Sequence, residues 1–225
     1  MRKLFIISFF ILANVISAQV TKNLGDFTKV TAFDKISVQL IKIDSTENKI
    51  EISGDLANEV EIITIKNELK IRMSLSKALK GNDIVAKVYF KNLEALEANE
   101  GSYISCDSVL SATNFNLIAK EGSQIKVNIS SKKISVKSMQ GSVIKLEGTT
   151  QNLEAILNTA GALQAKNCTT SQATVSITAG GDADFTATDY VDAKVKAGGT
   201  ITIYGNPKQV DEKTILGGSI IISKR

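Results

Sequence analysis

Three short stretches of this chain repeat one pattern: NEGSYISC at residues 99–106, KEGSQIKV at 120–127 and MQGSVIKL at 139–146. Each contains a glycine and a serine followed by apolar residues at alternate positions, and the glycines lie 21 and then 19 residues apart. With more variation, the first small residue of the pattern recurs at Gly101, Gly122, Gly141, Ala160, Gly180, Gly198 and Gly217. A period this regular is typical of a repeat architecture.

Columns of apolar residues keep a fixed distance from this small residue. Every residue three or five positions after it can be buried, as Ile144 and Leu146 are expected to be after Gly141. The positions three and seven residues before it continue the pattern, with Glu94 as the exception in the earlier column. Spacings of two residues are typical of a strand with one buried face. The sequence therefore predicts a strand-rich coil that repeats about every 19–20 residues.

Strand periodicity inside such a repeat favours an all-β, single-stranded parallel β-helix. One coil cannot bury its own apolar face, whereas coils stacked at ~4.8 Å bury a continuous core and pair their backbone groups with the coils above and below. The small pair would turn a tight corner once per coil, and a stacked serine there can bind its neighbours. The alternative is an antiparallel sandwich. It would not need aligned columns across seven units, and the hairpin turns Asn-Gly and Asp-Gly are absent.

The two cysteines are predicted to be free thiols. Cys106 falls in an inward column, and Cys168 falls in a corner region three coils later. Three coils span ~14 Å along the axis, whereas the Cα atoms of a disulfide lie within ~7 Å of each other. We expect Cys106 to act as a small hydrophobic core residue.

The first eighteen residues read as a secretory signal peptide. Residues 2–3 are basic, residues 4–16 are apolar, and two small residues at 17–18 precede the expected cleavage site. The apolar run is shorter than the ~20 residues needed to span a bilayer, so we expect no stable membrane span after cleavage. The predicted location is the periplasm, the outer-membrane surface or the extracellular space.

The remaining chain divides into an irregular part and a regular part of one continuous domain. Residues 19–92 alternate like strands but lack the Gly-Ser corner, so they are predicted to form irregular early turns or a cap, whereas residues 93–225 form the regular repeats. Two alternatives remain for the C-terminal end. Its edge is exposed, with Lys213, Lys224 and Arg225 discouraging aggregation, or a second copy covers it in an end-to-end homodimer.

Little in the sequence points to catalysis. The chain has no histidine, which excludes the usual general base and the commonest metal ligand, and its cysteines stand in different columns. We therefore predict no catalytic residue, no metal and no cofactor. Basic and acidic residues are nearly balanced, at 27 and 23 before signal removal, so nucleic acid is not expected as a partner.

Two aspartates are the only carboxylate pair that suggests chemistry on a polysaccharide. Asp182 and Asp184 flank the inward Ala183 and would point outward about 7 Å apart, a separation that suits inverting glycosidases. Neighbouring coils have Gln164 and Thr202 in the place of Asp184, so a solvated outer face is the favoured interpretation.

Other outward residues are weaker candidates for binding. Tyr103 is a surface candidate, and the tyrosines plausible as sugar platforms are Tyr103, Tyr190 and Tyr204. The equivalent positions of Glu100 and Glu121 predict stacked carboxylates that raise one another's pKa. The four lysines Lys120, Lys126, Lys137 and Lys145 are expected to form a modest basic stripe, which would hold an acidic glycan or serve solubility alone.

The signal peptide, FTKVTAFDKISVQLIK at residues 27–42, VYFKNLEALEANEGSYI at 88–104 and the Gly-Ser and Gly-Gly turns resemble the bacterial DUF2807 proteins, also called putative auto-transporter adhesin or head GIN domain proteins. The resemblance covers about residues 27–220. It implies a right-handed β-helix in the cell envelope and carries over no catalytic residue.

The sequence as a whole favours an exported, non-enzymatic envelope protein. Its outer faces would serve adhesion, scaffolding or the binding of an envelope or extracellular protein or glycan. The alternative function is polysaccharide binding or degradation.

Overall fold

The computed structural model describes residues 19–44 and 47–223. The predicted signal peptide lies outside the described residues. The described chain forms one 16-stranded sheet wound into a β-solenoid of about seven stacked turns, which confirms the predicted parallel coil architecture.

The strands are β1 (Gln19–Leu24), β2 (Lys29–Ala32), β3 (Ser37–Lys42), β4 (Asn48–Ser53), β5 (Val60–Ile65), β6 (Glu68–Met73), β7 (Val85–Phe90), β8 (Ala95–Ala98), β9 (Tyr103–Ala119), β10 (Gln124–Met139), β11 (Val143–Asn158), β12 (Ala162–Ile177), β13 (Asp182–Ala197), β14 (Thr200–Tyr204), β15 (Gln209–Leu216) and β16 (Ser219–Ile222). Two short 3₁₀ turns occupy Ala57–Glu59 and Leu75–Lys77.

Each of the long strands β9 to β13 runs through most of a coil and contributes to two faces. We call face A the stacked first halves of these strands together with β3, β7, β14 and β16. Face B contains the second halves together with β2, β6, β8 and β15. The core lies between the two faces, and all pairs between consecutive long strands are parallel.

The predicted register is confirmed for one inward column of face A. The inward column runs through paired residues in successive coils: Ile104, Ile125, Ile144, Leu163, Ala183, Ile201 and Ile220. All of these are buried except Ile220, which is half-buried in the last coil. A one-residue slip would turn the whole column outward, so the hydrophobic pattern specifies this register.

The Gly-Ser corner is built by a buried ladder of serine hydroxyls. Ser123 Oγ donates to the carbonyl oxygen of Ala98 in the preceding coil at 2.7 Å and accepts from the N–H of Lys120 at 3.0 Å. Ser142 repeats this arrangement one coil later, with Ala119 as its acceptor at 2.7 Å. The expected bonding of stacked serines is confirmed.

The change from Gly-Ser to Gly-Gly has a steric reason. A Cβ atom at Gly161, which stands where earlier coils have serine, would lie 2.0 Å from the carbonyl oxygen of Ser138. At Gly181 it would lie 2.3 Å from the carbonyl oxygen of Gly161. The later coils therefore approach too closely at this corner to admit a side chain.

Each long strand also contains a second corner, which the sequence interpretation missed. The inward alternation changes phase there. In β10, β11 and β12 a hydroxyl donates to the carbonyl oxygen two residues further on, as Thr150 does to Asn152 at 3.2 Å and Thr170 to Gln172 at 2.8 Å. In these three coils a serine or threonine side chain therefore satisfies a carbonyl at the bend.

Both cysteines are free, as predicted, and both are buried. Cys168 lies within β12, two residues before Thr170 of the second corner, and is fully buried and paired with Gly148. Burial raises the pKa of the Cys168 thiol to about 12. This side chain is therefore a protonated core residue.

The N-terminal strands extend both faces in an order that differs from the chain order. The coil formed by β2 and β3 lies between the β6–β7 coil and the β8–β9 coil. Antiparallel strands then cover the end of the stack: β4 and β1 beyond β7, and β5 beyond β6. At the opposite end, β15 and β16 pair only with the preceding coil among the described residues.

Candidate binding surface at the N-terminal end

The two candidate aspartates have different environments. Asp184 Oδ1 accepts hydrogen bonds from the backbone N–H groups of Ala165 and Lys166, both at 2.8 Å. The pairing register of β12 shifts directly after Ala165, so these donors stand beside an irregularity of the ladder. The carboxylate of Asp184 therefore supports the backbone, whereas Asp182 is exposed to solvent.

The tyrosines do not come together as a sugar platform. Tyr103 is half-buried in β9, and Tyr204 lies in β14, five strands further along face A and thus ~24 Å away. The ring of Tyr204 is covered by Lys166 Nζ at 4.5 Å from its centroid. Tyr190 donates its hydroxyl to Asp211 at 2.7 Å.

The expected four-lysine stripe is wrong. Lys126 and Lys145 are paired neighbours on face A. Lys137 belongs to face B, and Lys120 follows the face B half of β9, where its Nζ binds Glu97 at 2.8 Å. The positive charges are thus divided between two faces of the solenoid.

The predicted stacking of Glu100 and Glu121 has a minor effect. Burial and the nearby charge of Asp34 raise the pKa of Glu100, and Glu121 adds a smaller contribution in the same direction. The pKa of Glu100 is therefore raised mainly by burial and by Asp34 at the N-terminal end, and less by Glu121.

A cavity of about 440 Å³ opens at the N-terminal end, between the β5–β6 hairpin and the loop that follows β6. Its apolar lining consists of Phe33, Ile63, Ile65, Met73, Leu75 and Ala78. Its polar lining consists of Asp34, Lys70, Arg72 and Glu100. This combination of mainly apolar walls with a few polar groups is typical of binding sites.

Asp34 positions the loop beside this cavity. Its carboxylate accepts the backbone N–H of Met73 at 3.0 Å and that of Leu79 at 2.7 Å. Its carbonyl oxygen accepts the N–H of Gly81 at 3.0 Å, and a Cβ atom at Gly81 would lie 2.5 Å from that oxygen. The loop is therefore held at both ends by one residue of the turn between β2 and β3.

The loop and the hairpin expose large apolar side chains together. The exposed fractions are 85% for Leu75, 52% for Ile65 and 50% for Leu79. We call the side chains of Ile63, Ile65, Leu75, Ala78 and Leu79 the N-terminal surface. The sequence interpretation missed it, although the apolar residues of SLSKALKG at 74–81, a segment between two predicted strands, were a signal that could have found it.

The cations that line the cavity are paired with acids. Arg72 Nη2 lies 2.7 Å from Glu61, and Lys70 Nζ lies 3.4 Å from Glu68. Among residues 19–44 and 47–223, no group of three or more His, Cys, Asp or Glu side chains is placed to hold a metal ion. Within the same residues, no helix is long and apolar enough to cross a membrane.

Solved structures of similar fold include proteins from three organisms. A protein of Bacteroides fragilis described as a putative adhesin is 20% identical, with 90% of this chain and 96% of that chain covered and a TM-score of 0.83. A putative adhesin of Parabacteroides merdae is 17% identical, with 93% and 98% covered and a TM-score of 0.72. A protein of Parabacteroides distasonis described as a putative lipid binding protein is 14% identical, with 93% and 98% covered and a TM-score of 0.69.

At these identities the structural likenesses establish the fold alone. No curated protein matches the chain. The family model described as "putative auto-transporter adhesin, head GIN domain" matches residues 26–207, which is most of the sequence. The chain therefore belongs to the DUF2807 family.

Proposed function

We propose that this chain is an exported, non-enzymatic binding protein of the cell envelope, and that it contacts its partner through the N-terminal surface. The observation that carries the proposal is that exposed Leu75 and Ile65 line an apolar cavity at one end of the solenoid, and that exposed Leu79 follows in the same loop as Leu75. Contiguous exposed apolar patches of this kind mark interaction sites. Because the carboxylate of Asp34 accepts backbone hydrogen bonds at both ends of this segment, the loop holds its part of the N-terminal surface in one arrangement.

Several observations support binding rather than catalysis. Asp184, one of the two carboxylates that suggested glycan hydrolysis, is occupied with backbone N–H groups. The chain has no histidine to act as a general base. The family description as an adhesin and the description of one structural relative as a lipid binding protein fit a binding role.

The proposal is tested by co-sedimentation with the envelope fraction of the producing cell. The chain from Gln19 onward is used, because the apolar residues 4–16 would themselves bind membrane and because this chain contains all the described strands. We expect the wild-type chain to sediment with envelopes and the double variant Leu75→Ser, Leu79→Ser to remain in solution. Ile156→Ser is the matched control, since Ile156 is 49% exposed in β11, away from the N-terminal end. Equal binding of all three proteins would contradict the proposal.

Export is tested separately with the N-terminal segment. Residues 1–30 fused to alkaline phosphatase, which is active only after export, should give active enzyme. A substitution such as Ile7→Arg in the apolar run should abolish that activity, because a charge interrupts the segment that the export machinery recognises. An inactive wild-type fusion would contradict the proposed location and leave the binding experiment unaffected.

A further inference from the structure

The lysines that flank the N-terminal surface are free of ion pairs. Lys66 follows Ile65, Lys77 lies between Leu75 and Leu79, and Lys80 follows Leu79. None of the three forms an ion pair or a side-chain hydrogen bond in the part of the chain that the structure describes. Their charges are therefore available to a partner.

Several acids around the same surface already have a partner. Glu61 binds Arg72, Glu68 binds Lys29 and Lys70, and Glu59 accepts the hydroxyl of Ser74 at 2.8 Å. The carboxylate of Asp34 is occupied by two backbone donors. Glu100 and the exposed Asp83 form no ion pair within the described residues. The surface is therefore apolar at its centre, with three unpaired lysines at its margin.

We propose that the N-terminal surface docks on the anionic phospholipid surface of a membrane. Leu75, Leu79 and Ile65 would enter the boundary between headgroups and acyl chains, while Lys66, Lys77 and Lys80 contact lipid phosphates. This inference rests on the proposed function, because it names the partner of the same surface.

The arrangement meets the physical requirements of shallow membrane docking. An interfacial segment combines apolar side chains that penetrate about 5–10 Å with basic residues at the headgroup level. Lysines near an anionic leaflet add to the affinity independently of any fixed shape of the partner. The short 3₁₀ turn Leu75–Lys77 projects Leu75 almost fully out of the protein, with an exposed fraction of 85%. A flat lipid surface can cover such a side chain without a complementary pocket.

Vesicle co-sedimentation tests the electrostatic part of the inference. The chain from Gln19 onward is mixed with vesicles of phosphatidylcholine alone, or with vesicles in which about one third of the lipid is phosphatidylglycerol. We expect binding to the anionic vesicles and weaker binding at high salt, because screening shortens the reach of the lysine charges. Lys77→Gln with Lys80→Gln should lower the partition coefficient about fivefold per lysine. Lys132→Gln, an exposed lysine of β10, is the matched control. An unchanged partition coefficient in the double variant overturns the inference.

Insertion is tested by fluorescence, which this chain makes simple because it contains no tryptophan. Leu75→Trp supplies a single tryptophan at the centre of the surface, and Ile156→Trp supplies one elsewhere. We expect the emission of the first variant to shift to shorter wavelength on anionic vesicles and to be quenched by brominated acyl chains. The emission of the second should not change. A folded Leu75→Trp protein without this shift overturns the inference.

The outcomes separate this inference from the proposed function. Binding to envelopes that is lost on Leu75→Ser, Leu79→Ser and on protease treatment of the envelopes, without binding to anionic vesicles, identifies a protein partner. That result overturns membrane docking and leaves the proposed function intact. Failure to bind either envelopes or vesicles overturns both.

Discussion

The backbone N–H of Leu79 donates to Asp34 Oδ1 at 2.7 Å, although 45 residues separate the two in the chain. The same carboxylate binds the N–H of Met73 at the end of β6 through Oδ2 at 3.0 Å. One buried acid thus joins the β2–β3 turn, a strand near the end of the solenoid and the loop that exposes Leu75. The position of the N-terminal surface depends on this residue.

Replacing Asp34 by alanine should destabilise the protein and loosen the loop. Two backbone donors lose their acceptor, and we expect the free energy of unfolding to fall by about 1–3 kcal/mol in urea titrations. Amide exchange of Leu79 should accelerate. Asp83→Ala is the control, since Asp83 is exposed and none of its described contacts is a side-chain hydrogen bond. If the two variants unfold at the same urea concentration, Asp34 does not anchor the loop.

Two corner glycines should respond differently to alanine because they are glycines for different reasons. Gly141 has a φ of +71°, and a Cβ atom there would have no neighbour within 4 Å. Gly141→Ala should therefore lower the free energy of unfolding by about 1–2 kcal/mol, because alanine is strained in the left-handed region. Gly161 has no positive φ, but its Cβ would lie 2.0 Å from the Ser138 carbonyl oxygen. Gly161→Ala should therefore cost about 3 kcal/mol, because the backbone of two coils must separate.

Thermal and urea unfolding of the two variants measure this difference. The ranking is the decisive outcome. A Gly141→Ala variant less stable than Gly161→Ala would mean that backbone conformation, and not the approach of successive coils, limits the corner.

The loss of folding stability at acid pH should depend on Glu97. Its side chain is only 14% exposed and contacts Lys29 Nζ at 2.7 Å and Lys120 Nζ at 2.8 Å. Burial alone would raise the pKa of Glu97, but the hydrogen bonds from Lys120 and Lys29 outweigh it and lower the pKa below its usual value. A lowered folded-state pKa stabilises the protein above the unfolded-state pKa of about 4.3, and this stabilisation is lost as the pH falls through the lower folded-state pKa.

Glu97→Gln should make the free energy of unfolding depend less on pH in the acid range. It should also lower the free energy of unfolding at neutral pH by about 1.5–3 kcal/mol. Glu154→Gln is the matched control on the same face, because Glu154 and Lys133 form an exposed pair that is worth at most about 1 kcal/mol. Urea titrations at several pH values measure both variants. If the free energy of unfolding of Glu97→Gln falls as steeply with decreasing pH as that of the wild type, other carboxylates cause the acid destabilisation.

The local periodicity of the sequence was sufficient to predict the structure of the regular coils but not that of the two ends. The pairing of Ile125 with Ile144 follows from an alternation that each coil repeats, so the register could be predicted from one chain. The second corner was not predicted because its residue type varies: Ser131, Thr150 and Thr170 occupy the position in three coils, and alanines pair with it in the coils beyond. The role of Asp184 as a backbone acceptor was not predicted, because the register shift beside its two donors interrupts the alternation of inward and outward residues.

The N-terminal surface could not be predicted from periodicity at all. It exists because the β2–β3 coil lies between coils that come later in the chain, which places Asp34 beside Leu79. Such non-sequential contacts leave no repeating signal. The exposed leucines of the loop were a local anomaly, but only the fold shows that Ile63 and Ile65 border the same cavity.

At the opposite end, two of the core columns of face B finish in polar residues. One column runs through paired, buried residues of successive coils and then reaches an acid: Leu96, Leu117, Val136, Ala155, Val175, Ala193 and Glu212. In the adjacent column, Val195 pairs with Thr214. A strand added to β15 would bury the charge of Glu212 in an apolar stack, and inward charges of this kind protect sheet edges from association.

We therefore expect the wild-type chain to remain monomeric and the double variant Glu212→Val, Thr214→Val to associate end to end. Light scattering over a range of protein concentrations measures the mass. Lys213→Val is the decisive control, because Lys213 is the outward neighbour on the same strand, a lysine that the sequence marks as a protector of this edge. If Lys213→Val associates and the double variant does not, the outward charge protects the edge. If the wild-type chain is already a dimer that the double variant leaves unchanged, the end is covered by a second copy despite Glu212.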